Sequence, residues 1–227
     1  MSHSPLALSA AELAATIGSP AAPWIIDVRR REAFEAAERM IAGACWRDHA
    51  SAAQWASALP PGPLVVYCVH GHQVSQISAA LLRGAGRSAR YLAGGFEGYR
   101  DQGGETMSRA ALTAGGHWVT ADPPSPGALA CAWLIRRFID RRGEIHFVET
   151  EWAVAAAKEI GAATFALSKE TEAFDEMRHA YGIGLLALEG IGEGLEHVLD
   201  GLIKLHGPGD TLLEQSAAVF DAIYAIR

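Results

Sequence analysis

The stretch from Leu64 to Ser75, LVVYCVHGHQVS, constrains this chain more than any other. Leu64–Tyr67 is a short apolar run that reads as a buried strand. It delivers Cys68 into a loop with Gly71 at its middle, and Val74, Ile77, Leu81 and Leu82 then take up helical spacing. A thiol between a strand end and a helix start faces backbone N–H groups and the positive end of a helix dipole. Both favour the thiolate, which is the reactive form of cysteine. The arrangement predicts Cys68 as a nucleophile, with Val69, His70, Gly71, His72, Gln73 and Val74 forming a cradle for an oxyanion.

The surrounding sequence alternates strand and helix signals. Ser9 with Glu12 three residues on reads as a helix start. Residues 24–28, 43–46 and 88–92 read as strands. Residues 31–40 and 50–59 read as helices, and Gly94-Gly95 opens a last helix through Tyr99. This alternation predicts an α/β domain over residues 1–104, a parallel sheet flanked by helices. Ligands of such sheets bind beyond the C-terminal strand ends, where Cys68 falls.

Residues 101–104, Asp-Gln-Gly-Gly, mark a seam, and 105–116 are expected to be a linker. Residues 117–227 read as a mostly helical domain. Strands are expected near 118–119 and 145–148, and helices over 128–139, 152–160, 170–181, 194–205 and 211–226. Trp118, Trp133 and Trp152 are expected to fill core, as are Cys45 and Cys131.

Charge and cysteine usage narrow the function classes. The net charge is −7, and it is uneven: residues 1–104 carry 9 Lys and Arg against 8 Asp and Glu, whereas 105–227 carry 10 against 18. An acidic second half disfavours nucleic acid as a partner. Three scattered cysteines argue against a disulfide framework and for a reducing, cytoplasmic compartment. Neither a secretory leader nor a membrane-spanning run is expected. No CxxC or HExxH pattern supports zinc, so no cofactor is expected. His197 and Asp200, three apart on one helical face, are the only metal candidates the spacing offers.

Four patches, in order, give residues 8–103 a resemblance to the rhodanese family of sulfurtransferases. They are Ile26-Asp27-Val28-Arg29, the 40–44 stretch Met-Ile-Ala-Gly-Ala, the cysteine loop, and Tyr91-Leu92-Ala93-Gly94-Gly95-Phe96. The resemblance implies a Cys68 persulfide that takes sulfane sulfur from thiosulfate or a similar donor and passes it to cyanide or a thiol. Asp27 and Arg29 are expected to form an ion pair that holds the base of the loop. Residues 117–227 resemble the chromate-resistance ChrB family through Trp118-Val119-Thr120, the 130–140 stretch ACAWLIRRFID, Phe147-Val148 and the terminal helix around Phe220 to Tyr224. Two departures stand out. Ser125 and Ala128 replace the family's usual Lys and Arg, and Phe165 to Glu170 lacks its histidine and cysteine.

Two other readings compete with sulfur transfer. A phosphatase or arsenate reductase would need an arginine closing the loop, where this chain has Gln73 and Val74. A non-catalytic oxyanion or redox sensor, linked to chromate, would use the same cradle without turnover. The partners expected are thus small molecules, with no membrane; a homo-oligomer stays open.

Overall fold

Five parallel strands carry the first half of the chain. The computed structural model describes residues 5–111, 116–168, 172–184 and 193–226, and the chain divides into two compact units, Met1–Ala110 and Ala111–Arg227. In the first unit the elements run β1 (Ala7–Leu8), α1 (Ala10–Ala14), β2 (Trp24–Asp27), α2 (Arg31–Glu35), β3 (Arg39–Ile41), β4 (Cys45–Trp46), α3 (Ala52–Trp55), β5 (Leu64–Tyr67), α4 (Gln73–Gly84), β6 (Ala89–Leu92), α5 (Gly95–Asp101) and β7 (Thr106–Ser108). The sheet order is β1-β6-β5-β2-β4, and every pairing in it is parallel. Its central strand, β5, is buried at all four positions. A strand covered on both faces needs an unbroken apolar run, and Leu-Val-Val-Tyr supplies it. Ser9 and Glu12 form the expected reciprocal cap at the start of α1. The Ser9 amide holds the Glu12 carboxyl below its ordinary range.

Three local expectations need correction. The helix from Arg31 ends at Glu35, because Arg39–Ile41 turns into β3 and pairs antiparallel with β7. Residues 105–110 of the expected linker therefore belong to the first unit. Arg39 donates to the Thr106 hydroxyl and carbonyl at 2.8 and 2.7 Å, and Arg109 donates to the carbonyls of Ala37 and Glu35. Residues 112–115 of that expected linker lie outside the described residues. The helix expected over 50–59 is one turn of α-helix, α3, between two 3-10 turns.

The second unit joins a small sheet to a helical body: β8 (His117–Asp122), α6 (Pro126–Leu134), β9 (Glu144–Glu149), α7 (Thr150–Ile160), β10 (Ala163–Thr164), α8 (Ala173–Ala180), α9 (Glu193–His206) and α10 (Asp210–Ala225). Its strands run β10-β8-β9, all parallel. Ser125 earns its place structurally, since its hydroxyl caps α6 by accepting from the Ala128 amide at 3.1 Å. Pro126 follows at the position where a missing N–H costs nothing. A single π-turn, Ile135–Ile139, extends α6. Trp133 packs among Phe138, Phe174, Phe220 and Tyr224. Asp221 accepts from the Trp133 indole and from Nε and Nη2 of Arg137 at 2.7–2.9 Å, tying α6 to α10. Trp118 is buried as expected, whereas Trp152 is 60% exposed on α7, which corrects the expectation that it fills core. No helix among the described residues is long and apolar enough to cross a membrane.

Candidate functional site

Cys68 leaves the C-terminal end of the central strand and is buried, at 7% exposure. Its Sγ lies 3.3 Å from the Ser75 hydroxyl in the first turn of α4. That hydroxyl also donates to the His72 carbonyl at 3.2 Å. One hydroxyl proton thus has two acceptors within reach. With a thiol present, S–H donates to Oγ and O–H donates to the carbonyl. With a thiolate present, O–H can turn to the sulfur.

The loop's carbonyls are engaged with neighbouring groups. Cys68 and Val69 accept from the amides of Phe96 and Glu97 at 2.9 and 3.1 Å, and His72 accepts from the Gln76 amide at 3.1 Å. The Gly71 carbonyl accepts from the Gln76 side chain at 3.2 Å. The amides differ: among the described residues, none from 69 to 75 donates to a protein acceptor. Unpaired amides arrayed along a tight loop into a helix start are an anion-binding device.

Two glycines set the loop's position. Gly71 has φ +71°, and a Cβ there would meet the Leu92 carbonyl at 2.5 Å and the Gly94 and Gly95 nitrogens at 2.7 Å. Gly95 has φ +61°, and its Cβ would strike the Gly71 nitrogen and meet the Cys68 carbonyl at 2.5 Å. The cysteine loop and the β6–α5 turn therefore touch backbone to backbone, an approach that side chains forbid.

A cavity of about 240 Å³ opens over the sulfur. Cys68, Val69, His70, His72, Gln73 and Val74 line it together with Arg29, Arg30 and Ala33. Gly71 is buried against the turn and is the one residue of the expected cradle not in this lining. His70 pairs with Glu97 at 3.1 Å, and both are well exposed. His72 is exposed, its ring 6.0 Å from that of His70.

Asp27 and Arg29 form a buried ion pair, with Arg29 Nε 3.0 and 2.9 Å from the two carboxylate oxygens. The β2–β5 register sets Asp27 beside Tyr67, whose hydroxyl donates to Asp27 at 2.8 Å and accepts from the Ile41 amide at 3.2 Å. Burial first, and the Asp27 charge second, push the Tyr67 hydroxyl well above its ordinary pKa, so it stays a donor. Burial is the largest influence on the Arg29 charge and works against it, but the hydrogen bond to Asp27 and the charge interactions with Tyr67 and Asp27 together outweigh it, and the guanidinium is held above its usual range. Arg29 also donates to the Arg39 carbonyl and lies 4.8 Å over the Phe96 ring, so its charge is committed to the scaffold. Arg30 is exposed, and no carboxylate among the described residues pairs with it.

The sequence reading did not single out Ser75, Arg30, Glu97 or Tyr67. Ser75 stood in the loop motif and Arg30 in the Arg29–Arg31 run, but only the folded contacts give them roles. His197 and Asp200 lie exposed on α9, and they belong to no clustered set of metal-ligand side chains among the described residues.

Comparison with known proteins covers both halves. The rhodanese-like domain family matches residues 9–102, and the C-terminal domain of ChrB matches 118–193. No curated protein matches the chain. Among solved structures, a rhodanese-like domain from Anabaena sp. is 29% identical, over 45% of this chain and 79% of that one, with a TM-score of 0.39. A rhodanese homolog from Thermus thermophilus is 28% identical, over 33% and 80%, at 0.28. A rhodanese-related protein from Thermoplasma volcanium is 20% identical, over 44% and 95%, at 0.38. By the family matches, residues 9–102 form a rhodanese-like domain and residues 118–193 a ChrB C-terminal domain, in that order.

Proposed function

We propose that the protein moves sulfane sulfur through a persulfide on Cys68. The observation that supports this reading is the pairing of a cavity-lining cysteine with a run of loop amides that have no protein acceptor among the described residues. Such donors hold negative charge without reorganising when it arrives. With thiosulfate as donor, the Cys68 thiolate attacks the outer sulfur. The S–S bond breaks, and sulfite leaves with its electron pair. The new persulfide keeps one negative charge, which the loop amides and the Ser75 hydroxyl would share in this reading. Cyanide or a thiolate then attacks the terminal sulfur, and the Cys68 thiolate leaves. This is the logic of thiol–disulfide exchange, in which a thiolate is both attacker and leaving group.

Arg30 is the charge this reading assigns to the donor. It lines the cavity and pairs with no carboxylate among the described residues, so its guanidinium is available to an incoming sulfonate. The test is intact mass after thiosulfate treatment. The chain should gain about 32 Da, one sulfur on the ladder of cysteine modifications, and Cys68→Ser should gain nothing. An unmodified wild-type chain, with no thiocyanate formed from thiosulfate and cyanide, would favour the oxyanion sensor instead.

A further inference from the structure

We propose that His117, Glu144 and His146, in the second unit, bind one divalent transition-metal ion of the Zn²⁺ class. The ladder between β8 and β9 sets His117 opposite Glu144 and Val119 opposite His146. Glu144 and His146 are two apart on one strand and share a face of the sheet. His117 stands beside them on the neighbouring strand. His117 Nδ1 is 3.1 Å from His146 Nε2 and 3.5 Å from a Glu144 oxygen. One ligand atom from each of the three lies within 4.8 Å of the others.

The two separations from His117 are those a single ion requires. Two ligand atoms about 2.0–2.1 Å from tetrahedral zinc stand roughly 3.3–3.4 Å apart. The observed 3.1 and 3.5 Å bracket that value. The imidazoles are tilted by 36°, with centroids 5.3 Å apart, rather than stacked face to face. An N–H···N hydrogen bond alone would account for the two rings, but the carboxylate beside them adds a third donor of the type a metal takes. Two imidazoles and a carboxylate suit zinc and its neighbours better than Mg²⁺ or Ca²⁺, which prefer all-oxygen sets. The ligands sit on paired strands rather than a loop, so little ordering is needed on binding. His117 and Glu144 are 38% and 69% exposed, which leaves a coordination position open to water. The acidic balance of residues 105–227 favours cation approach. The site is independent of the chemistry proposed at Cys68.

The test titrates the full chain with Zn²⁺ by calorimetry and by competition with a chromogenic chelator. The titration is repeated in Cys68→Ser, so that the loop thiol is not counted. One Zn²⁺ per chain is expected in both. His117→Ala and His146→Ala should each weaken binding by at least about tenfold, since even an outer-shell partner costs that much. Co²⁺ should give the visible bands of a nitrogen and oxygen site, with no thiolate charge-transfer band. Glu144→Gln alters an exposed side chain and leaves the fold unstrained; weaker binding there supports the site even if a histidine variant unfolds. Stoichiometric binding absent from the parent, or unchanged in His146→Ala and Glu144→Gln, or lost only in Cys68→Ser, overturns the proposal.

Discussion

Cys68 and Cys131 are both buried cysteines, one in each unit, and their surroundings differ in kind. Cys68 ends a strand, lines a cavity and has a hydroxyl 3.3 Å from its sulfur. Cys131 sits inside α6, where every residue from 128 to 134 is buried. Burial, reinforced by the charge of Glu176, pushes its thiol up to about 12. Burial alone says little about cysteine reactivity; what surrounds the sulfur decides it. A loop rich in unpaired amides offers an anion somewhere to rest, whereas a helix interior has already spent its amides on its own carbonyls.

The sharpest break of that comparison is catalytic. Cys68→Ser should reduce thiocyanate formation from thiosulfate and cyanide to the uncatalysed background, while a folded Cys131→Ser keeps the parent rate. Equal loss in both would remove the distinction. Alkylation comes next. With its thiol near 12, Cys131 holds on the order of one thiolate in ten thousand at pH 8. Iodoacetamide should therefore mark Cys68 in the native chain and reach Cys131 only after denaturation, as read by peptide mass. Labelling of native Cys131 at a comparable rate would count against its buried setting.

The two units also hold contrasting ion pairs. Asp27→Asn strands Arg29, which is 2% exposed, and should cost about 3–5 kcal/mol of stability. Asp221→Asn weakens a pair that retains some solvent, at 20% and 15% exposure, and should cost less, about 1.5–3 kcal/mol. Denaturant unfolding of the two variants ranks them, and the reverse order would refute the account. The smallest effect is expected at the cavity mouth. Arg30→Ala should raise KM for thiosulfate roughly three- to tenfold with kcat kept, the pattern of a lost binding contact. An unchanged KM would show that the loop amides alone hold the donor.

Local patterns made much of the first unit readable. The β5 run, the glycine in the loop and the helix start are contiguous, and each rests on near-neighbour physics. Asp27 and Arg29 stand two residues apart on one strand end, so their pairing is also a local matter. What the sequence did not disclose depends on register. Tyr67 reaches Asp27 only because β2 and β5 align them. β3 and β7 pair across more than sixty intervening residues, and nothing in Arg39–Ile41 or Thr106–Ser108 marks the partner. His117 and His146 meet the same way, through a strand ladder, and no short motif contains both. Trp152 shows the opposite failure: a large aromatic expected in the core that the fold leaves in solvent.

The backbone contact between Gly71 and Gly95 has a further consequence. With the Cys68 and Val69 carbonyls also fastened to α5, the floor beneath the sulfur has little slack. Any cargo on Cys68 must be housed by the open side of the cavity rather than by yielding main chain. The cavity measures about 240 Å³. That is ample for a sulfur atom or a small oxyanion and far too little for a folded carrier, so a protein acceptor would have to extend a slender thiol-bearing arm into the opening.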